Sequence, residues 1–231
     1  LRSTLAKAIS NRIAAHCDDG RTTAAHHLHR SLCALAEGPN SRADTMLHRA
    51  NGTFNLATYL ARSGAPEKAL ELYFDLARFV ERRAPDPELT EVLADAGFAL
   101  VTVFGDKETL DPAETVYRDL LQRAAASEEM TGKAALAAFN LMTDFCRDGD
   151  VGKARQIYDD ILALSAARPE DEEMALVHAK ACANLLLTAD ALDDAVHADL
   201  LAQELAQLVA AWPDEAEIWE IAASLAPLDI V

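Results

Sequence analysis

The chain has 231 residues, 51% of them hydrophobic, and 21 Lys plus Arg against 38 Asp plus Glu leave a formal net charge of −17. That apolar content excludes wholesale disorder, and the length is ample for a buried core in one or two globular units. The acidity argues against nonspecific nucleic-acid binding and against an anionic membrane surface, both of which need a basic face.

Strand signals are almost absent, and apolar residues recur at helical spacing throughout, so the expected fold class is all-α. The first sixteen residues carry Arg2, Lys7 and Arg12 with no acid, as a mitochondrial transit peptide would. The repeat set out below gives them a structural place instead. Because the chain opens on Leu1 rather than Met, it is expected to be a piece of a longer protein.

In chain order, the first repeat (1–40) holds Asn11, Gly20, Ala25 and His29, and the second (41–86) holds Asn55, Gly64, Ala69 and Tyr73. The third (87–127) has Ala96 in the Asn position, then Gly105, Ala113 and Tyr117, with three extra residues around Asp106–Asp111. The fourth (128–169) holds Asn140, Gly149, Ala154 and Tyr158, and the fifth (170–213) holds Asn184, Asp193, Ala198 and Ala202. A final helix at 214–226, with Ile218, Trp219 and Ile221, is expected to cap the end of the stack.

Each recurring residue has a physical reason. The Gly, nine residues after the Asn, ends the first helix of a hairpin in a left-handed conformation that is cheap without a side chain. The Ala lets the second helix approach the first, and the Tyr one turn later fills the gap. Pro39, Pro85, Pro169 and Pro213 stop the second helices.

The stretches N-L-A-T-Y-L-A-R-S-G-A-P-E-K-A-L-E-L-Y at 55–73 and N-L-M-T-D-F-C-R-D-G-D-V-G-K-A-R-Q-I-Y at 140–158 resemble the tetratricopeptide repeat family. The likeness spans about residues 1–212, strongest in repeats two and four. The repeats run longer than the family's usual length, like those of kinesin light chain and related bacterial regulatory proteins. Leu76 and Ile161 replace a customary small residue, and the second helix is expected to overrun its usual stop by about one turn. The shorter, basic pentatricopeptide repeats, which bind RNA, fit the acidity poorly.

The resemblance implies a single repeat domain over 1–231: a right-handed superhelix, or solenoid, of about five helical hairpins with a C-terminal capping helix. It also implies a non-catalytic, cytoplasmic scaffold that binds a peptide or protein segment in its concave groove, with no cofactor. Asn11, Asn55, Asn140 and Asn184 would face that groove, where a primary amide can donate to and accept from a peptide backbone at once. An asparagine at this place can equally bond to a neighbouring helix, and both readings stand. The family's carboxylate clamp needs basic residues on the first helix of the third repeat, where this chain has Glu88, Glu91 and Asp95. Lys7 alone does not make a clamp. A sensing domain of a larger bacterial regulator and a helical accessory subunit of an enzyme are the alternatives.

Catalytic signatures such as G-x-S-x-G, H-E-x-x-H or a phosphate-binding Gly-rich loop are missing, so no enzyme activity is expected. His26, His27 and His29 near Cys33 and Cys17 lack a second closely spaced ligand pair, so no metal is expected either. Cys17, Cys33, Cys146 and Cys182 read as reduced, mostly buried thiols. The acid pairs Asp159–Asp160, Glu170–Glu173 and Asp193–Asp194 read as helix starts and solvated faces.

Charge falls along the chain, from +3 over residues 1–50 through −3, −5 and −6 in the next three blocks of fifty to −6 over 201–231. In a solenoid, sequence order becomes position along the stack. The expected partner is therefore neutral to basic, and oriented with its more basic end toward repeats four and five.

Overall fold

The computed structural model describes residues 2–37, 41–83, 85–107 and 109–225, the side chain of Ala126 excepted. Pro39, the residue 40 boundary and Ala226 at the expected end of the cap lie outside the described residues, as does Glu108 within the third-repeat insertion. Among the described residues every element is helical, and helices pack on their neighbours in sequence. The chain divides into two compact units, residues 1–133 and 134–231.

The first unit contains α1 (Arg2–Asp18), α2 (Thr22–Ala36), α3 (Ala43–Arg62), α4 (Pro66–Glu81), α5 (Pro87–Asp106) and α6 (Leu110–Arg123). A 3-10 turn (Ala124–Ala126) and the start of α7 (Glu128–Asp148) complete it. Its first helices, α1, α3 and α5, pack side by side, and each also packs against the second helix of its own hairpin. Ala25, Ala69 and Ala113 are fully buried in these hairpins, and Tyr73 and Tyr117 fill the space one turn on. Burying each such large side chain contributes roughly 1.5–3 kcal/mol. Contact is closest at Gly97 of α5, where an added Cβ would stand 2.6 Å from Leu120 Cδ2 of α6.

The second unit holds the rest of α7 with α8 (Val151–Ala166), α9 (Glu172–Ala191), α10 (Ala195–Ala211) and α11 (Ala216–Leu225). Here α9 is central, touching α8, α10 and α11. Ala154, Ile157, Ile161, Leu186 and Leu205 form its apolar interior. Asp150, Asp171 and Asp194 each cap a helix by accepting from a backbone N–H three residues on.

The turns follow the expected register. Gly20, Gly64 and Gly149 have φ of 71°, 77° and 86°, and Asp193, their counterpart in the fifth repeat, has φ of 55°. Two expectations need correcting. Gly105 does not end its helix: it is buried within α5, which continues to Asp106, and the three-residue insertion is taken up in the connection that follows. Nor does the second helix carry the extra length, since α4 and α8 end at Glu81 and Ala166, ahead of Pro85 and Pro169. The length sits in the first helices, with 20 residues in α3, α5 and α9 and 21 in α7, against 14 to 17 in α4, α6, α8 and α10.

Candidate functional site

Two surfaces carry polar groups at repeated positions: the asparagines of the first helices, and clefts between successive second helices. Asn11 of α1 is exposed and Asn55 of α3 is half-buried, and neither amide bonds to another described residue. The second unit differs. Asn184 Nδ2 donates to Thr143 Oγ1 at 3.0 Å, and that hydroxyl donates onward to Phe139 O at 2.9 Å. Asn140 is half-buried and also engaged.

The difference has a sequence cause. Asn184 and Asn55 stand 129 residues apart, as do Thr143 and Ala14, so the residue that holds the later amide is an alanine in the earlier hairpin. The converse occurs once: Thr58 follows Asn55 as Thr143 follows Asn140, but Ala96 replaces the asparagine that would meet it. Thr58 Oγ1 is buried without a partner.

Among the second helices, α2 and α4 leave an open cleft of about 710 Å³, floored by Arg49 of α3. An open cleft of about 300 Å³ lies between α8 and α10, lined by Arg155, Tyr158, Leu200 and Glu204. Both are built from the same repeat positions: His29, Arg49 and Asp75 around the first correspond, 129 residues on, to Tyr158, His178 and Glu204 around the second. None of the four asparagines lines either cleft.

In the first cleft, His29 Nε2 lies 2.8 Å from Thr53 Oγ1 and 3.6 Å from Cys33 Sγ. Burial foremost, with the nearby Arg49 and His26, lowers the His29 imidazole to about 4. Burial pushes the Cys33 thiol up. A neutral imidazole beside a protonated thiol is not an activated nucleophile. Arg49, only 7% exposed, stacks on the Phe79 ring at 3.9 Å, with Arg83 at 3.9 Å from the same ring. Its acidic partner among the described residues is Glu37 at 3.3 Å.

The junction of α4 and α6 repeats the arrangement of side chains. Tyr73 donates to Asp119 at 2.8 Å, and Arg123 grips both Asp119 oxygens while reaching Glu81 at 2.7 Å. In the second cleft His178 Nε2 lies 3.3 Å from Tyr158 OH and 3.1 Å from Glu204 Oε1. The His178 bond holds the Glu204 carboxyl below its usual range. His178 Nδ1 is buried without a partner.

Sequence reasoning singled out His29 and Tyr158 but missed the acid each faces. The signal was present: Asp75, Asp119, Asp160 and Glu204 each stand six residues after the repeat alanine. Among the described residues, no group of three or more His, Cys, Asp or Glu is placed to hold a metal, and no helix is long and apolar enough to cross a membrane. All four cysteines are free, Cys17 and Cys182 buried and Cys33 and Cys146 half-buried. Compared with protein-family models, with curated proteins and with solved structures, the chain matches none.

Proposed function

We infer that the chain is a non-catalytic interaction scaffold of the tetratricopeptide type: a right-handed superhelix of about five hairpins with α11 as its cap. It binds a peptide or protein segment along the face formed by the first helices. The observation that carries this reading is the recurrence of one turn, with Gly20, Gly64, Gly149 and Asp193 all left-handed at the same repeat position. A hairpin closed the same way each time presents the same helix face each time, which suits a ligand that is itself repetitive, such as a polypeptide backbone.

On that face Asn11 and Asn55 are the main-chain contacts, because their amides retain full donor and acceptor capacity. Asn140 and Asn184 form a second pair within the second unit, where Thr143 already takes one Asn184 donor. A net charge of −17 favours a neutral to basic ligand.

The test is selection of peptides from a random displayed library, followed by affinity measurement on the purified chain. Loss of two amide contacts at about 1 kcal/mol each predicts at least a tenfold rise in Kd for Asn11→Ala/Asn55→Ala. Peptides held equally well by the double variant would rule out the amides, and failure to select any peptide would rule out the scaffold.

A further inference from the structure

We propose that the cleft between α2 and α4 is a binding site for an extended acidic peptide segment, on a surface separate from the asparagine face. It does not rest on that face being a binding surface.

The cleft is a basic island in an acidic protein. Five cations line it (Arg30, Arg49, Lys68, Arg78 and Arg82) against three acids, Glu37, Glu71 and Asp75. Two of the acids are already committed, Glu37 to Arg49 and Asp75 to Arg78. Glu71 alone remains to balance Arg30, Lys68 and Arg82, none of which has an ion-pair partner among the described residues. The imbalance is felt locally: His26 is held below its ordinary value by burial, then by Lys68 and Arg30. Like charges gathered in one concavity are relieved by an incoming anion.

Arg49 supplies the fixed point. Its guanidinium is nine-tenths buried, lies over the Phe79 ring, and reaches the exposed Glu37 and the Cys33 thiol. Such a pre-oriented fork suits a carboxylate, which can accept two parallel N–H bonds. The equivalent cleft between α8 and α10 has Arg155 against Asp159 and Glu204, with His178 in the place of Arg49. Repeat geometry therefore makes a cleft at this position, and residue choice makes this one basic.

The distribution of the cations sets the size of the ligand. Lys68 and Arg82 are fourteen residues apart along and just beyond α4, about 21 Å at the helical rise. An extended peptide covers that in about six residues. Nucleic acid is the other extended polyanion, but no Phe, Tyr or Trp is among the described residues that line the cleft, and Phe79 beneath Arg49 is already covered by two arginines, so no broad stacking platform is offered.

The experiment titrates the full chain with a fluorescein-labelled octaglutamate peptide by anisotropy, beside octalysine and an eight-nucleotide oligothymidylate. Saturable binding of octaglutamate is expected, weakened at least fivefold by Arg30→Ala/Arg82→Ala and by raising NaCl from 50 to 300 mM. Both arginines are exposed and have no ion-pair partner among the described residues, so the variant is expected to keep the parent's thermal transition. Asn11→Ala/Asn55→Ala should bind octaglutamate unchanged, which separates this site from the scaffold face. Absence of saturable binding, binding indifferent to the arginine pair, or oligothymidylate binding as tight as octaglutamate would each overturn the proposal.

Discussion

His29 occupies the place where three other hairpins have tyrosine, and the exchange puts a base where a hydroxyl would be neutral at all working pH. Tyr73 and Tyr158 are pushed upward, by burial first, then by Asp119 beside Tyr73 and by Cys182 and Glu204 beside Tyr158, so both stay protonated. His29 is pushed the other way, to about 4, by burial, Arg49 and His26, with Asp75 opposing. The folded chain therefore refuses a proton that the unfolded chain accepts at about 6.5. Stability from this residue is complete above pH 6.5, declines as pH falls toward 4, and is constant below that. The gap corresponds to on the order of 3 kcal/mol. Urea unfolding at pH 7.5, 5.5 and 4 should show His29→Gln losing about 2–3 kcal/mol less than the parent across that range. His26, lowered in the same sense, contributes equally to both proteins and cancels. Parallel curves for the two proteins would mean that His29 is not held neutral by the fold.

At the scale of the element, the hairpin turn is a backbone requirement repeated four times, with one imperfect solution. An added Cβ at Gly149 would meet nothing within 4 Å, so its substitution carries only the conformational cost of positive φ. Gly149→Ala is expected to destabilise by about 1 kcal/mol, and Asp193→Gly to stabilise by up to about 1 kcal/mol. Denaturant midpoints measure both, and a destabilised Asp193→Gly would show that the aspartate serves the turn in some other way. These turns were legible in the sequence because one residue type satisfies the geometry best and the spacing repeats. The helix lengths were less so. The start of α3 at Ala43 has no side-chain cap to announce it, and the glycine rule misled at Gly105, where a longer connection removed the need for a left-handed turn. The clefts were not legible at all, since each lies between helices that are not consecutive, and charge balance there depends on side chains from three elements. Only the acid six residues after four of the five repeat alanines hinted at them. The asparagines were visible as a series. Their inequality was not, because it depends on what stands one hairpin earlier, Ala14 or Thr143.

For the whole molecule, the division into two units sharpens the meaning of the net charge. Residues 1–133 carry 16 Lys plus Arg against 19 Asp plus Glu, a net −3, while residues 134–231 carry 5 against 19, a net −14. Nearly all the self-repulsion therefore falls on the smaller unit. Its last cation is Lys180, which reaches Glu217 at 3.5 Å, and no Lys or Arg follows. Crowding is visible at Glu215, held above its ordinary value by desolvation and then by Glu172, Glu217 and Asp214. Self-repulsion of this kind opposes the compact state and is screened over about 30 Å at 0.01 M salt but about 10 Å at 0.1 M. The two units should thus respond differently to ionic strength. Raising NaCl from 10 to 300 mM is expected to slow amide hydrogen exchange in α9, α10 and α11 several-fold, with little change in α1, α3 and α5. Exchange followed by mass spectrometry on peptides from both units provides the measurement. An equal response in the two would mean that the excess charge of the second unit is already dispersed by solvent, and that its acids carry no stability cost for a basic ligand to relieve.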